Sequence, residues 1–447
     1  MSSDRPTSAG ARLGGVSRRE FLQAAAGAAA VAGLGAVRQA RADWRLPGGN
    51  VGATFWDSSS ALKAKLYNDL ILPSYRQLRP NYSIKYESFA TDSLLRKLLV
   101  ATATGTAPEI FELGDWYFPA YFGKGLLDPV PPEAFGHASL QELLGRYLPG
   151  SLTAMLHEGR LYGLPDFVAS HSLFINNRLF KEAGLDPLKD APRTWDDVAR
   201  LNRVLTRRKG GRVVQKGFEM RHIDDHWMAR SFHHLIYQAG GEVLDSEGRP
   251  VFNEEPGVKA LEVWKSVTIA PTASQNTSAS PFEDFATEQD AMSYIGPNGG
   301  RQCESINPRM RDNYTVVPLP QINPARPATM AFSYAVVVSA RASEDRRTVA
   351  WDFVRHALSD PRPWLANNGA LLPQRAWATS PEARKLLRFY DVFVHDISIG
   401  KPLARTSRYA ELQAALSRMI ERVVLNRADP KKALDQAAAE FERALAS

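Results

Sequence analysis

Cysteine is almost absent from this sequence, whose 447 residues include only Cys303. A single cysteine cannot form an internal disulfide. It also excludes iron–sulfur clusters and zinc sites that need several thiolate ligands at set spacing. We expect Cys303 to be a small, buried, apolar side chain.

The familiar signatures of catalytic and nucleotide-binding sites are also missing. The sequence contains no G-x-S-x-G, no H-E-x-x-H, no P-loop and no G-x-G-x-x-G after a strand. We therefore expect a protein that is not an enzyme and that needs no cofactor. An exported enzyme acting on a carbohydrate is the alternative, because carboxylates such as Asp57, Glu112 and Asp115 could perform acid–base chemistry.

Long hydrophobic runs are absent as well, and the apolar run near the start is too short to span a membrane. Residues 17–23 read SRREFLQ, the run AAAGAAAVAGLGAV follows, and ARA precedes Asp43. A basic start, a short apolar run and a small-x-small cleavage site are typical of an export signal, and paired arginines indicate the twin-arginine pathway. A spanning helix needs about 20 apolar residues. We predict a signal peptide over residues 1–42, cleavage after Ala42 and a periplasmic protein; a disordered basic tail is the alternative.

The net charge gives little evidence for a nucleic-acid partner. The full chain carries a formal charge of +7, but residues 1–42 contribute six arginines against one aspartate and one glutamate. No basic run interleaved with aromatic residues is present. We therefore predict no nucleic-acid partner.

Strand and helix patterns alternate along the rest of the chain, which predicts an α/β fold with a parallel sheet. Strand patterns cover residues 51–56, 82–89 and 108–113, and a helix that Pro73 kinks or ends follows the first of them. Later helices begin at Thr194, with Asp197 three residues on, and at Asp429 before Pro430. The length of the chain predicts two domains.

Several motifs occur in an order that is shared with a known family. They are HEGRLYGLPDF, NNRLFKEAGLDP followed by RTWDDV, QAGGEVLDSEGRPVFNEEPGVKALEVW, FATEQDAMSYIGP, YTVVPLP and NGALLPQR. In this succession the chain resembles the extracellular solute-binding proteins of bacterial ABC importers, above all the carbohydrate-binding group called family 1.

The resemblance implies a type II periplasmic binding protein fold, in which hinge-connected α/β lobes close on a ligand in the cleft between them. It places residues 43–165 and 270–318 in lobe one and residues 166–269 and 319–447 in lobe two, with YGLPDF as a hinge crossing. It implies a sugar, polyol or oligosaccharide ligand and permease subunits at the inner membrane as partners. We expect a monomer. A polyamine or phosphodiester ligand, or a signalling role at a membrane receptor, are the alternatives.

The predicted binding residues in lobe one follow two strands of the sheet. In open α/β sheets, ligands bind at the carboxyl ends of the strands. Aromatic rings stack on sugar CH faces, and planar polar groups pair with sugar hydroxyls. Loops with both kinds of side chain supply the candidates Trp56, Asp57, Ser58, Glu112, Asp115 and Trp116, of which Trp56 could equally belong to the core.

The resemblance supplies the other candidates: Asp166, His171, Trp227, Asn298, Tyr334 and Arg375. Asn298 lies in IGPNGGRQ, where many sugar binders carry a tryptophan, and this glycine-rich turn could hold an anion instead. In RHIDDHW, the side chains of His222, Asp224, Asp225 and His226 could bind a metal, but we predict a capped helix start and no metal. We assign Trp264 and Trp351 to the core and Trp195 to a helix start.

Overall fold

The computed structural model describes residues 44–58, 60–222, 224–268 and 280–446. The predicted export signal, residues 1–42, lies outside these residues. In the part of the chain that is described, no helix is both long and apolar enough to cross a membrane.

Short strands and helices alternate through the chain. The strands are β1 (Val51–Ser58), β2 (Tyr82–Phe89), β3 (Ile110–Gly114), β4 (Leu156–His157), β5 (Arg160–Leu161), β6 (Leu164–Ala169), β7 (Ser172–Asn176), β8 (Arg207–Lys209), β9 (Arg212–Phe218), β10 (Asp290–Ile295), β11 (Tyr314–Val317), β12 (Thr329–Val338) and β13 (Gly400–Pro402).

The α-helices are α1 (Ala61–Leu66), α2 (Leu72–Leu78), α3 (Thr91–Thr104), α4 (Phe118–Phe122), α5 (Leu140–Leu144), α6 (Asn177–Glu182), α7 (Trp195–Leu205), α8 (Asp225–Gln238), α9 (Glu255–Val267), α10 (Pro281–Ala286), α11 (Gly299–Ile306), α12 (Glu344–Leu358), α13 (Arg375–Ala378), α14 (Pro381–Leu386), α15 (Tyr390–Ser398), α16 (Tyr409–Val424) and α17 (Pro430–Ala446). A π-helical turn, Tyr67–Ile71, joins α1 to α2, so Pro73 does not end the helix.

The first sheet has the strand order β13-β12-β3-β1-β2, and β6 also pairs with β12. Strand β1 is parallel to β2 and β3, whereas β12 is antiparallel to β3 and β6. Residues of β1 alternate in burial. Phe55 is fully buried under the covering helices, where its ring centroid lies 5.2 Å from that of Tyr67 and 6.0 Å from that of Phe353. Burial of one such side chain contributes about 1.5–3 kcal/mol. The alternating pattern thus fixes which face of the sheet is covered.

The second sheet has the order β11-β7-β10-β9-β8. Strand β7 is antiparallel to both neighbours and buried along its whole length, as expected of a central strand. Helices α8 and α9 belong to this part of the molecule, and the last two helices, α16 and α17, pack against them.

The chain crosses between the sheets at a connection of two residues. Strand β6 lies in the first sheet, β7 lies in the second, and only Ser170 and His171 join them. The crossing expected at residues 165 and 166 therefore occurs five residues later, and Asp166 lies in the first sheet.

The sheet pairing does not agree with the expected assignment of residues 270–318 to lobe one. Within the described part of this segment, β10 and β11 flank β7 in the second sheet, in antiparallel registers that run through Ile175 on both sides. The chain returns to the first sheet only at β12. The apolar strand pattern was correct, but it does not encode which sheet a strand joins.

The predicted helix starts are confirmed. Thr194 and Asp197 form a reciprocal capping box at the start of α7, and Asp429 Oδ1 accepts a hydrogen bond from the Lys432 amide at 2.8 Å. The side chains that we assigned to the core are buried as predicted, namely Trp264, Trp351 and Cys303. Trp195 is the first residue of α7 and is also buried.

Candidate ligand-binding site

A cavity of about 470 Å³ lies between the two sheets, beside the last residue of β1. The first sheet and its connections contribute Ser58, Lys63, Glu112, Asp166, Phe167, Phe332 and Tyr334; the second side and the crossing contribute His171, His226, Trp227, Arg230, Asn298 and Gln302. Because both sides of the molecule line it, a bound molecule would contact both.

Side chains from the two sides already meet around this cavity. Gln302 Nε2 donates hydrogen bonds to Ser60 Oγ at 2.6 Å and to Asn368 Oδ1 at 3.2 Å. The Tyr334 hydroxyl lies 3.1 Å from His226 Nε2. The cavity is therefore bounded by polar contacts that a moving lobe would have to break.

A buried charge cluster, which we call the Lys63 cluster, forms one end of the cavity. It consists of Lys63 and the carboxylates of Asp57, Glu112 and Asp166. Lys63 Nζ lies 2.8 Å from both Asp57 Oδ1 and Asp166 Oδ2 and also contacts Glu112. The carboxylates come from three strands of the first sheet, and one oxygen of each lies within 4.8 Å of the others. Three such oxygens could hold a metal ion, but the ammonium group of Lys63 contacts all three residues.

The environment of the Lys63 cluster shifts every pKa in it. Burial raises the pKa of Asp57 to about 6 and those of Glu112 and Asp166 to about 7, against the opposing charge of Lys63. Burial lowers the pKa of Lys63, but the three carboxylates outweigh it and hold that pKa well above its usual value. Asp166 Oδ1 has no hydrogen-bond partner among the described residues. Asp166 lines the cavity, so its carboxyl group is a candidate acceptor for a ligand hydroxyl.

Aromatic rings form much of the opposite wall. Trp227 is half-buried and stacks on His171, with ring centroids 4.7 Å apart and planes 11° from parallel. Asp224 caps α8 through a 2.8 Å hydrogen bond from the Trp227 amide, which fixes the tryptophan at the helix start. The predicted capped helix start is confirmed. The four candidate metal ligands of RHIDDHW do not form a metal-holding group among the described residues, since His222 faces Glu219 and His226 faces Tyr334.

Histidines at the cavity are held in their neutral form. Burial lowers the pKa values of His171 and His226 well below the usual value and that of His234 to about 3. His234 Nδ1 accepts a hydrogen bond from the Met330 amide, so its Nε2–H donates to His171 Nδ1 at 3.1 Å. In neutral His171 the proton then resides on Nε2, which makes that nitrogen a hydrogen-bond donor.

The predicted site residues separate into two groups. Seven of them line the cavity: Ser58, Glu112, Asp166, His171, Trp227, Asn298 and Tyr334. Asp57 lies behind them and binds Lys63, while its second oxygen accepts a hydrogen bond from the Tyr86 hydroxyl at 2.8 Å. Trp56 faces away from the cavity, and its indole N–H donates a hydrogen bond to the Glu87 carboxylate at 2.6 Å.

The remaining three predicted residues do not reach the cavity. Trp116 is only 1% exposed, because its indole ring folds back into the core behind Tyr334. The ring fits there because Gly114 has no Cβ, and a Cβ at that position would collide with it. Asp115 faces Arg405 at 3.9 Å beside a different cavity. Arg375 is exposed, and its guanidinium lies against the Tyr147 carbonyl.

Sequence reasoning missed several residues that line the cavity, among them Lys63, Arg230, Gln302 and Asn368. A lysine or arginine within an amphipathic helix ordinarily indicates a solvent-exposed face. Only the packing of distant strands shows that these cations are buried.

The sequence profile of bacterial extracellular solute-binding proteins matches residues 56–385. The chain belongs to this family. Its description as an extracellular family implies export from the cytoplasm.

Relatives with distant but extended similarity agree with this assignment. A protein of Brucella abortus (strain 2308) described only as a binding protein is 21% identical over 396 residues, covering 85% of this chain and 90% of the relative. The diacetylchitobiose binding protein DasA of Streptomyces coelicolor is 23% identical over 307 residues, covering 65% of this chain and 66% of its own length.

Solved structures establish the fold as a two-lobe periplasmic binding protein. An ABC transporter solute-binding protein of Thermotoga lettingae, bound to α-D-tagatose, has a TM-score of 0.75, 22% identity, and coverage of 88% of this chain and 99% of its own. Maltose-bound MalE3 of T. maritima has a TM-score of 0.76 and 18% identity at the same coverage. A ribitol complex from Agrobacterium radiobacter K84 has a TM-score of 0.74 and 19% identity, covering 88% and 98% of the two chains.

Proposed function

We propose that this protein is the periplasmic substrate-binding component of an ABC importer and that it binds a sugar, polyol or oligosaccharide in the cavity between its lobes. The observation that carries the proposal is the pairing of a stacked aromatic wall at Trp227 with the carboxylates of the Lys63 cluster at the other end. The ligand is delivered to permease subunits at the inner membrane.

The chemistry of a sugar matches both ends of this cavity. Its CH faces pack on an aromatic ring, and each hydroxyl needs a donor or acceptor when it is removed from water. Asp166 Oδ1 and the Glu112 carboxylate offer acceptors, while His171 Nε2 and the Asn298 amide offer donors. The sugar, polyol and amino-sugar ligands named for the similar proteins support the same class of ligand.

Lobe closure supplies the signal that the importer reads. We assign the first lobe to the first sheet, with the described residues of 51–169 and 329–358, and the second lobe to the described residues of 172–317 and 409–446. A ligand that contacts both lobes stabilises the closed state by its differential affinity for that state. The protein acts as a monomer without catalysis, after export by the twin-arginine pathway and cleavage behind Ala42.

A ligand screen on the mature protein tests this function. Thermal unfolding is followed with D-tagatose, maltose, ribitol, arabino-oligosaccharides, spermidine and glycerophosphodiesters at equal concentration. We expect the melting temperature to rise with at least one saccharide or polyol, because a ligand that binds only the folded state stabilises it by mass action. Chromatography of the released ligand should recover it unchanged. A rise only with spermidine or phosphodiesters, or conversion of the saccharide, contradicts the proposal.

A further inference from the structure

Four lysine or arginine side chains are buried in the part of the chain that the structure describes, and one of them differs from the rest. Lys63 contacts three carboxylates, Lys216 contacts Glu219 and Asp290, and Arg221 contacts Asp224 and Asp284. The fourth is Arg230. No carboxylate of the described side chains lies within 4 Å of its guanidinium nitrogens.

Arg230 is 4% exposed and is held in place without an ion pair. Its guanidinium carbon lies 3.6 Å from the ring centre of Phe332 and 4.7 Å from that of Trp116, and Nη2 donates to the Tyr334 hydroxyl at 3.1 Å. Its Nε has no hydrogen-bond partner among the residues that the structure describes. Burying a charge is costly unless it is paired, so this arrangement lacks an anion.

The guanidinium lines the same cavity as Trp227 and Asp166, so a ligand there can reach it. The ionisable neighbours do not compensate its charge. His171, His226 and His234 are neutral, and the charge of Arg230 itself disfavours their protonation. Burial raises the pKa of Asp115, the charges of Arg405 and Arg230 oppose this shift, and the carboxyl group lies 3.9 Å from Arg405.

We propose that Arg230 binds a carboxylate on the ligand, so that the natural ligand is an acidic saccharide of the uronic acid type. This inference rests on the proposed function, because it assumes a saccharide in the cavity. The planar guanidinium fork presents its donors in a geometry that matches a carboxylate, and such charge-assisted hydrogen bonds are about twice as strong as neutral ones.

The charge distribution in the cavity favours a singly charged group over a phosphate. One guanidinium balances one negative charge. At the other end, the Lys63 cluster holds three carboxyl groups against one ammonium, which opposes a dianion. A uronic acid also retains the hydroxyls and CH faces that the rest of the cavity accommodates.

Titration calorimetry with matched sugar pairs tests the inference. D-Glucuronate and D-galacturonate, and disaccharides containing them, are compared with D-glucose, D-galactose and the corresponding neutral disaccharides. We expect the mature wild-type protein to bind at least one uronate roughly tenfold to a hundredfold more tightly than its neutral partner, as one charged hydrogen-bonding group predicts. The Arg230→Gln variant should lose this preference.

The control is Arg375→Gln, the same change at the exposed arginine outside the cavity, which should keep the preference. If neutral sugars bind and no uronate binds better, or if Arg230→Gln keeps the preference, the inference is wrong and the saccharide-binding function stands. If no sugar of either kind binds, the proposed function fails with it. Should Arg230→Gln fail to fold, Arg230→Lys takes its place: it keeps the charge but not the planar fork, so the uronate preference should fall, and an unchanged preference refutes the inference.

Discussion

Replacing Lys63 by methionine should destabilise the ligand-free protein by an amount that increases with pH. The substitution keeps the apolar stem of the side chain and removes the one ammonium group that contacts Asp57, Glu112 and Asp166 in the described part of the chain. Losing one partner of a buried ion pair costs about 3–5 kcal/mol, because the remaining charges stay buried without compensation.

The sign of the pH dependence follows from the raised pKa values of the carboxyls. In the folded wild type they are about 6 for Asp57 and about 7 for Glu112 and Asp166, so between about pH 4 and 7 the folded state holds protons that the unfolded state has lost. The stabilisation from this proton binding is fully present below the unfolded pKa values and is lost as pH rises through the folded ones. Without Lys63, which lowers these values, each pKa rises further, and each additional unit costs about 1.4 kcal/mol once the pH exceeds the raised value.

We therefore expect the substitution to lower the free energy of unfolding by about 1–3 kcal/mol at pH 5 and by about 3–5 kcal/mol at pH 8. At pH 5 the carboxyls are largely protonated, so only hydrogen bonds are lost. Urea unfolding followed by tryptophan fluorescence measures both values. Subtracting variant from wild type at each pH cancels the contribution of the buried histidines. The control is Lys65→Met on the same helix, where the lysine and its partner Asp69 are exposed, and little change is expected at either pH. A destabilisation that is equal at both pH values, or larger at pH 5, would refute the reasoning.

Three further predictions concern the ligand, the export signal and the motion. Trp227→Ala should lower saccharide affinity by about tenfold while folding is retained, and calorimetry measures this change. Trp116→Ala should instead lower the free energy of unfolding by about 3–5 kcal/mol, which urea unfolding measures. The reverse pattern would contradict the placement of these two rings. Replacing both Arg18 and Arg19 by lysine should leave precursor in the cytoplasm, and an unchanged periplasmic yield in a strain without the twin-arginine translocase would argue against this route. Saturating saccharide should reduce the radius of gyration in small-angle scattering, and a constant value would show that the unliganded lobes are already closed.

Local structure was readily predicted from the sequence, because it depends on neighbouring residues. The strand pattern at residues 82–89 matches β2, and the helix starts at Thr194 and Asp429 have the capping contacts that their spacing predicts. The polar residues at the ends of β1 and β3 do meet, since Ser58 donates through its amide to Glu112 at 3.1 Å. Parallel neighbours place their carboxyl ends at one edge of a sheet.

Long-range pairing was not predictable in the same way. An apolar run such as β10 pairs equally well, by its own pattern, with either sheet. Its register with β7, which sets Met292 opposite Ile175, depends on segments more than 100 residues apart. No signal within residues 290–295 assigns this strand to the second sheet.

The burial of side chains at the cavity was also not predictable from the local sequence pattern. Trp116 follows a strand and an acidic residue, which predicted exposure to a ligand, but the glycine two residues earlier allows the ring to fold inward. Lys63 has three partners from three strands, and only their convergence makes its burial possible. The cations of this cavity are therefore the part of the site that a pattern of residue types does not reveal.

The two-residue connection between β6 and β7 limits how this protein can acquire a new ligand. His171 belongs to the connection and also stacks on Trp227 at the cavity wall, so in the function that we propose one side chain takes part in both recognition and hinge motion. A substitution there that admits a different molecule also changes the free-energy difference between the open and closed lobes. The ligand selectivity and the rate of ligand release therefore cannot evolve independently at this position. Biosensor designs that need a new specificity with an unchanged response amplitude should vary Asn298 and leave the connection and its stacking partner Trp227 intact.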